Sequence, residues 1–184
     1  MNQRQLYRFG ARFSKRLKGT TRHFRENVRI FSRGVVLARS SQVRKIAAAS
    51  GGRADSQRRR LQRFVAREQP LERFFVSWSR HVLGQVKTRS VVLVVDDTTI
   101  GGRLKVMVVG LAFEGRCIPL VWRVFVANSR ADYPAEGQSA MIAAMLGLVK
   151  QGLPRGKQVR VLADRGLGTS PALMRAIMAL KWTF

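Results

Sequence analysis

"SVVLVVDDTTI", residues 90–100, runs five apolar residues straight into two aspartates and two threonines. The run Val91–Val95 is rich in β-branched side chains and too short for a helix, so it predicts a strand buried on both faces. Asp96 and Asp97 then stand at its C-terminal end. The chain has only ten acidic residues against 35 Lys and Arg, a formal net charge of +25. In so basic a protein, two adjacent acids at one strand tip mark the place to look for chemistry.

Working outward, "RLKVMVVGLAF" (103–113) and "CIPLVWRVFV" (117–126) predict two more strands, joined by "EGR" with Gly115 free to turn. Pro119 lacks an N–H for the ladder, which places the third strand at an edge. Met141, Ile142, Met145, Leu146, Leu148 and Val149 recur at helical spacing, and "LPRGK" (153–157) stops that helix. "QVRVLAD" (158–164) is a fourth strand, with Asp164 at its end. "TSP" (169–171) supplies a cap and a first-turn proline for a helix carrying Leu173, Ile177 and Leu180. "KWTF" (181–184) reads as the beginning of a fifth strand. The first three strands pair antiparallel, and the crossover helix returns the fourth parallel to the first. Cys117, in apolar surroundings, is expected in the core; a single cysteine excludes an internal disulfide and suits a reducing compartment.

Before residue 89 the pattern is helical and basic. Residues 1–90 hold 23 Lys and Arg against four Asp and Glu. Leu6, Phe9, Phe13 and Leu17 share one helix face. Residues 41–67 read as a helix-turn-helix: a stripe of Val43, Ile46 and Ala47, a stop at "SGG" (50–52), and a second helix capped by Asp55 or Ser56 with Leu61, Phe64 and Val65 apolar. Its other face carries Arg58, Arg59, Arg60, Arg63 and Arg67, as a DNA-reading helix does, although a solvated basic face accounts for the same arginines. The charge calls for an acidic partner; nucleic acid leads, ahead of a ribosome-like role or an anionic membrane surface. No apolar stretch approaches the ~20 residues of a membrane span. The Arg-rich start resembles a transit peptide, but the basic character continues past residue 30. The expected boundary gives a basic helical DNA-binding region at 1–88 and an α/β domain at 89–184.

If strands one and four are parallel neighbours, their acids converge where open α/β sheets hold ligands. Converging carboxylates repel unless a cation lies between them, and hard divalent ions bind carboxylate and phosphate oxygens. The competing reading is plain: Asp before Thr, or before Arg-Gly, also makes ordinary turns.

Taken together, "VVDDTTI", "GRCIPLVWRVF" and "VRVLADRGLGT" resemble the catalytic segments of bacterial DDE transposases of the cut-and-paste insertion-sequence type, over about residues 90–184. The resemblance implies an α/β fold with a ribonuclease-H-like mixed sheet: three antiparallel strands, a crossover helix, a parallel strand and a helix. It also implies Mg²⁺- or Mn²⁺-dependent cleavage and strand transfer on double-stranded DNA at element ends, with two ions in a complete site. Carried over by position, Asp97 and Asp164 are the catalytic and metal-holding acids, Asp96 a neighbour that tunes or caps or else a further metal ligand, and Arg103 and Arg165 phosphate contacts. The family draws a third acid, a glutamate, from a later helix. No acidic residue follows Asp164, and Glu136 at the crossover helix is set aside as a substitute. The resemblance therefore implies the N-terminal half of a transposase, with an incomplete sheet and impaired catalysis. It would be cytoplasmic and nucleoid-associated, forming a homodimer or pairing with a full-length copy. The alternatives are a DNA-binding regulator of transposition that does not cut, and a stand-alone ribonuclease-H-like nuclease.

Overall fold

The computed structural model describes residues 14–17, 19–67, 71–129 and 131–184. The chain divides into two compact units, Met1–Phe74 and Phe75–Phe184.

The first unit contains α1 (Arg22–Ala38), α2 (Val43–Ala49), α3 (Ala54–Ala66) and the start of α4 (Leu71–Leu83). Thr21 opens α1, its hydroxyl accepting the Phe24 N–H. Arg39, in the left-handed region, ends it. Ile30, Ile46, Ala47 and Leu61 form the buried centre, flanked by Phe31, Val35 and Val43. Gly34 lets α1 and α2 approach closely: a Cβ there would lie 2.6 Å from Ile46 Cγ2 and 2.7 Å from the Ile46 carbonyl. Gly51 and Gly52 both have φ of +83°, which side chains rarely adopt, so the chain turns sharply between α2 and α3. The expected helix face of Leu6, Phe9 and Phe13 lies outside the described residues; Leu17 is fully buried.

Two expectations for α3 are corrected. Its N-cap is Arg53, with no side-chain cap; Asp55 sits in the first turn, where it complements the helix dipole. Val65 is exposed, because the apolar stripe that meets α1 runs through Leu61 and Phe64.

The second unit has the strand order β3-β2-β1-β4, with β1 (Ser90–Ile100), β2 (Leu104–Phe113), β3 (Arg116–Val126) and β4 (Gln158–Ala163). The β1–β2 and β2–β3 pairs are antiparallel and β1–β4 is parallel, so the mixed α/β sheet agrees with the strand order read from the sequence. The β2–β3 hairpin turns through Glu114 and Gly115, both at positive φ, as a two-residue primed turn requires. β3 is an edge strand, and Pro119 sits opposite Gly110 where the register shifts. α5 (Gln138–Gly152) crosses back to β4 and buries Met141, Ile142, Met145, Leu146 and Val149. α6 (Arg165–Gly168) and α7 (Pro171–Ala179) follow, with Ser170 capping α7 through the Leu173 N–H. Thr183 then bridges Arg160 in parallel, so the chain leaving α7 runs along β4.

The C-terminal half of α4 belongs to this unit. Phe75 meets the Trp122 ring edge-on at 4.8 Å, and Trp78 Nε1 donates to the Pro119 carbonyl at 2.7 Å. The division thus falls inside α4, ahead of the boundary expected near residue 88. Lys157 Nζ donates to the carbonyls of Val86 and Thr88, and the Gln158 N–H donates to Arg89, so the start of β4 is tied beside the start of β1.

Two further corrections concern burial. Val91, Leu93 and Val95 are buried but Val92 and Val94 only half-buried, so β1 is well covered on one face. Cys117 is exposed, because it lies one residue into the edge strand beside the hairpin turn; partial burial, and secondarily the Asp96 charge, push its thiol pKa up. Among the described residues no helix is long and apolar enough to cross a membrane.

Candidate functional site

The parallel ladder between β1 and β4 runs from Ser90 opposite Gln158 to Val95 opposite Ala163. Beyond it the two strands part. β1 continues against β2 as far as Ile100, so Asp96 and Asp97 lie inside a strand and not at its tip. They are nevertheless the first residues of β1 past the ladder with β4. Asp164 is the first residue past it on the other side. Neighbouring strands are about 5 Å apart, so Asp96 in β1 and Asp164 after β4 each stand one residue past the same facing pair, Val95 and Ala163.

Alternation separates the adjacent acids. Asp97 shares the face of Val91, Leu93 and Val95, whereas Asp96 takes the face of Val92 and Val94. Asp96 Oδ1 accepts the Asp97 N–H at 2.8 Å, a local turn-type bond. Asp164 leaves strand geometry altogether: it is the N-cap of α6, and its Oδ1 accepts the Leu167 N–H at 2.7 Å. That capping bond fixes the carboxylate at the strand end and engages one of its two oxygens. Arg165 begins α6 directly after it.

The principal group that sequence reasoning missed is Lys105. Its ammonium lies 2.9 Å from Asp97 Oδ2. The β1–β2 register sets Asp97 opposite Met107 and Thr99 opposite Lys105, so the lysine reaches Asp97 diagonally on the same face. Both side chains are about one-third exposed, 34% for Lys105 and 29% for Asp97, so the pair stabilises the fold by at most about 1 kcal/mol. The same cross-strand row continues to Arg123, opposite Met107 on β3. Arg123 Nη1 donates to Glu136 Oε1 at 2.8 Å, which ties the approach to α5 down to this row. Arg103 stands apart in the β1–β2 hairpin loop, its carbonyl accepting the Ala127 N–H at 2.7 Å.

A divalent cation can be tested against these groups. Carboxylate oxygens from Asp97 and Asp164 are the hard donors such an ion takes, and Lys105 already places a positive charge against Asp97. By donor type alone the two carboxylates suit a cation whose remaining ligands come from water or phosphate. Among the described residues no three His, Cys, Asp or Glu side chains group closely enough to hold a metal ion by themselves.

In the first unit, the expected arginine face of α3 resolves into two sets. Arg59, Arg63 and Arg67 are exposed, while Arg58 and Arg60 are half-buried. Arg58 pairs with Asp55 at 3.5 Å, and Arg60 Nε donates to Asn27 Oδ1 on α1 at 2.6 Å. Arg60, Arg63 and Arg67 recur at helical spacing and form one wall of an open groove of about 800 Å³. Thr21, His23 and Asn27 at the start of α1 form the other wall, over Phe24 and Phe64. The α1 contribution was hidden from the sequence, because nothing local to Asn27 or His23 signals that α3 lies beside them.

No protein-family model, curated protein or solved structure matches this chain.

Proposed function

We propose that this chain binds DNA through its basic helical unit and carries, in the sheet unit, the divalent-cation site of a ribonuclease-H-like DDE transposase. The observation that supports the reading is the parallel β1–β4 register: directly after its last pair, Val95 and Ala163, the chain is acidic on both strands, at Asp96–Asp97 and at Asp164.

In this reading the helix-turn-helix of α2 and α3 and the adjoining groove grip phosphates through Arg59, Arg63 and Arg67. Asp97 and Asp164 hold Mg²⁺ or Mn²⁺. Bound there, the ion supplies charge stabilisation at a phosphate oxygen. Arg165, next to Asp164, contacts the neighbouring phosphate; Arg103, in the hairpin loop, stands apart from these acids. The capping bond to Leu167 holds Asp164 in one orientation, and the Lys105 pair restrains Asp97. Asp96, on the opposite face of β1 from Asp97, caps the Asp97 N–H in this reading.

The Lys105–Asp97 pair also favours a second reading, in which the chain occupies DNA without cutting it, because an acid already neutralised needs no metal. A plasmid-nicking experiment with the full chain separates them. Mn²⁺-dependent nicking that survives Asp96→Asn and is lost in Asp97→Asn and Asp164→Asn supports the enzyme. Tight, salt-sensitive DNA binding without nicking, unchanged by Asp164→Ala, supports the regulator. Absence of DNA binding at low salt overturns both.

A further inference from the structure

We propose that Lys105 is a built-in competitor for the cation site: its ammonium holds Asp97 in the metal-free protein and is displaced from the carboxylate when a divalent ion arrives. The inference rests on the proposed ligand role of Asp97 and concerns the regulation of that site.

Three features of the structure point this way. Lys105 Nζ bonds Asp97 Oδ2 at 2.9 Å, so the ammonium already engages one of the two carboxylate oxygens open to a cation. The contact is diagonal across β1 and β2, with Thr99 and not Asp97 opposite Lys105, so the lysine reaches the acid only by extending its flexible side chain along the strand. Lys105 is also near the hairpin, one residue into β2, and its side chain is one-third exposed, so the released ammonium has solvent to move into. By contrast, Asp164 is held by a neutral backbone N–H, which does not compete electrostatically with a metal. The two acids are thus held differently, one by a removable charge and one by a fixed dipole.

An ammonium and a divalent ion compete for one carboxylate by ordinary electrostatics. Removing the ammonium removes the competitor, and Mn²⁺ affinity rises. A lysine that merely staples β1 to β2 gives another pattern: its loss lowers the melting temperature and leaves Mn²⁺ affinity where it was or weaker.

The test is a titration of the full chain with Mn²⁺ alone, read by the loss of the electron paramagnetic resonance signal of free Mn²⁺. The variants are Lys105→Met, Lys105→Arg and Asp97→Asn, each checked for folding by its thermal transition. Lys105→Met is expected to bind Mn²⁺ about three- to tenfold more tightly than the unaltered chain, as loss of one partly screened charge contact requires. Lys105→Arg restores the original affinity, and Asp97→Asn abolishes binding. Unchanged or weaker Mn²⁺ binding by Lys105→Met, with Asp97→Asn still abolishing it, overturns the competitor role and leaves the site intact. Binding that survives Asp97→Asn, or no binding by the unaltered chain and Lys105→Met alike, overturns the site itself.

Discussion

Val95 and Ala163 are the last facing pair of the parallel β1–β4 ladder. One residue further along each strand the chain turns acidic, at Asp96 and at Asp164, a coincidence of register. It depends on contacts distant in sequence, because Lys157 and Gln158 tie the start of β4 to the segment preceding β1.

DNA binding is expected to depend on the groove wall. Arg63 and Arg67 are exposed, whereas Arg60 is engaged by Asn27. The Arg63→Ala/Arg67→Ala double variant should weaken binding to any duplex and flatten the slope of log affinity against log salt by about 1.8, if each arginine neutralises one phosphate. Fluorescence anisotropy across a salt series measures it. An unchanged slope removes these residues from the interface.

Much of the sheet was legible in the sequence. Short β-branched runs, the Glu114–Gly115 turn, Pro119 at an edge and the Ser170–Pro171 helix start are local signals, and each kept its meaning in the fold. What was not legible depends on partners. The diagonal reach of Lys105 to Asp97 needs the β1–β2 register, and the groove beside Arg60 needs α1 packed on α3. Cys117 looked internal because its neighbours are apolar, yet at the start of an edge strand little covers it. Asp55 has cap chemistry, but the chain enters α3 two residues earlier, at Arg53.

Gly34 should not tolerate a side chain. A Cβ there would lie 2.5 Å from Ser50 Oγ and 2.7 Å from the Ile46 carbonyl, and the carbonyl cannot move without shifting α2. Gly34→Ala is expected to destabilise the helical unit by about 1–3 kcal/mol, by overpacking. Chemical denaturation measures the loss. A substitution without effect would mean that α1 and α2 do not approach as closely as described.

Glu26 links the helical unit to pH. The hydrogen bond from Arg29 holds its carboxyl below the ordinary 4.5, against opposing desolvation and with help from the Arg29, Arg60 and Arg22 charges. A carboxyl with a lowered folded pKa contributes stability above its unfolded pKa and loses it as pH falls through the folded value. Between pH 6 and strongly acidic solution, below pH 4, the melting temperature of Glu26→Gln should therefore fall less than that of the unaltered chain. Parallel melting curves would remove Glu26 from the pH response.

The shared cation position of Asp97 and Asp164 is tested most directly by loading the full chain with Fe²⁺ in place of Mg²⁺ and adding ascorbate and peroxide. Radicals generated at the bound iron cut the backbone nearest to it. Cuts are expected in both strand ends, around residues 96–98 and 163–165, and both should disappear together in Asp97→Asn and in Asp164→Asn. Cleavage at only one of the two ends, or at neither, would contradict the account.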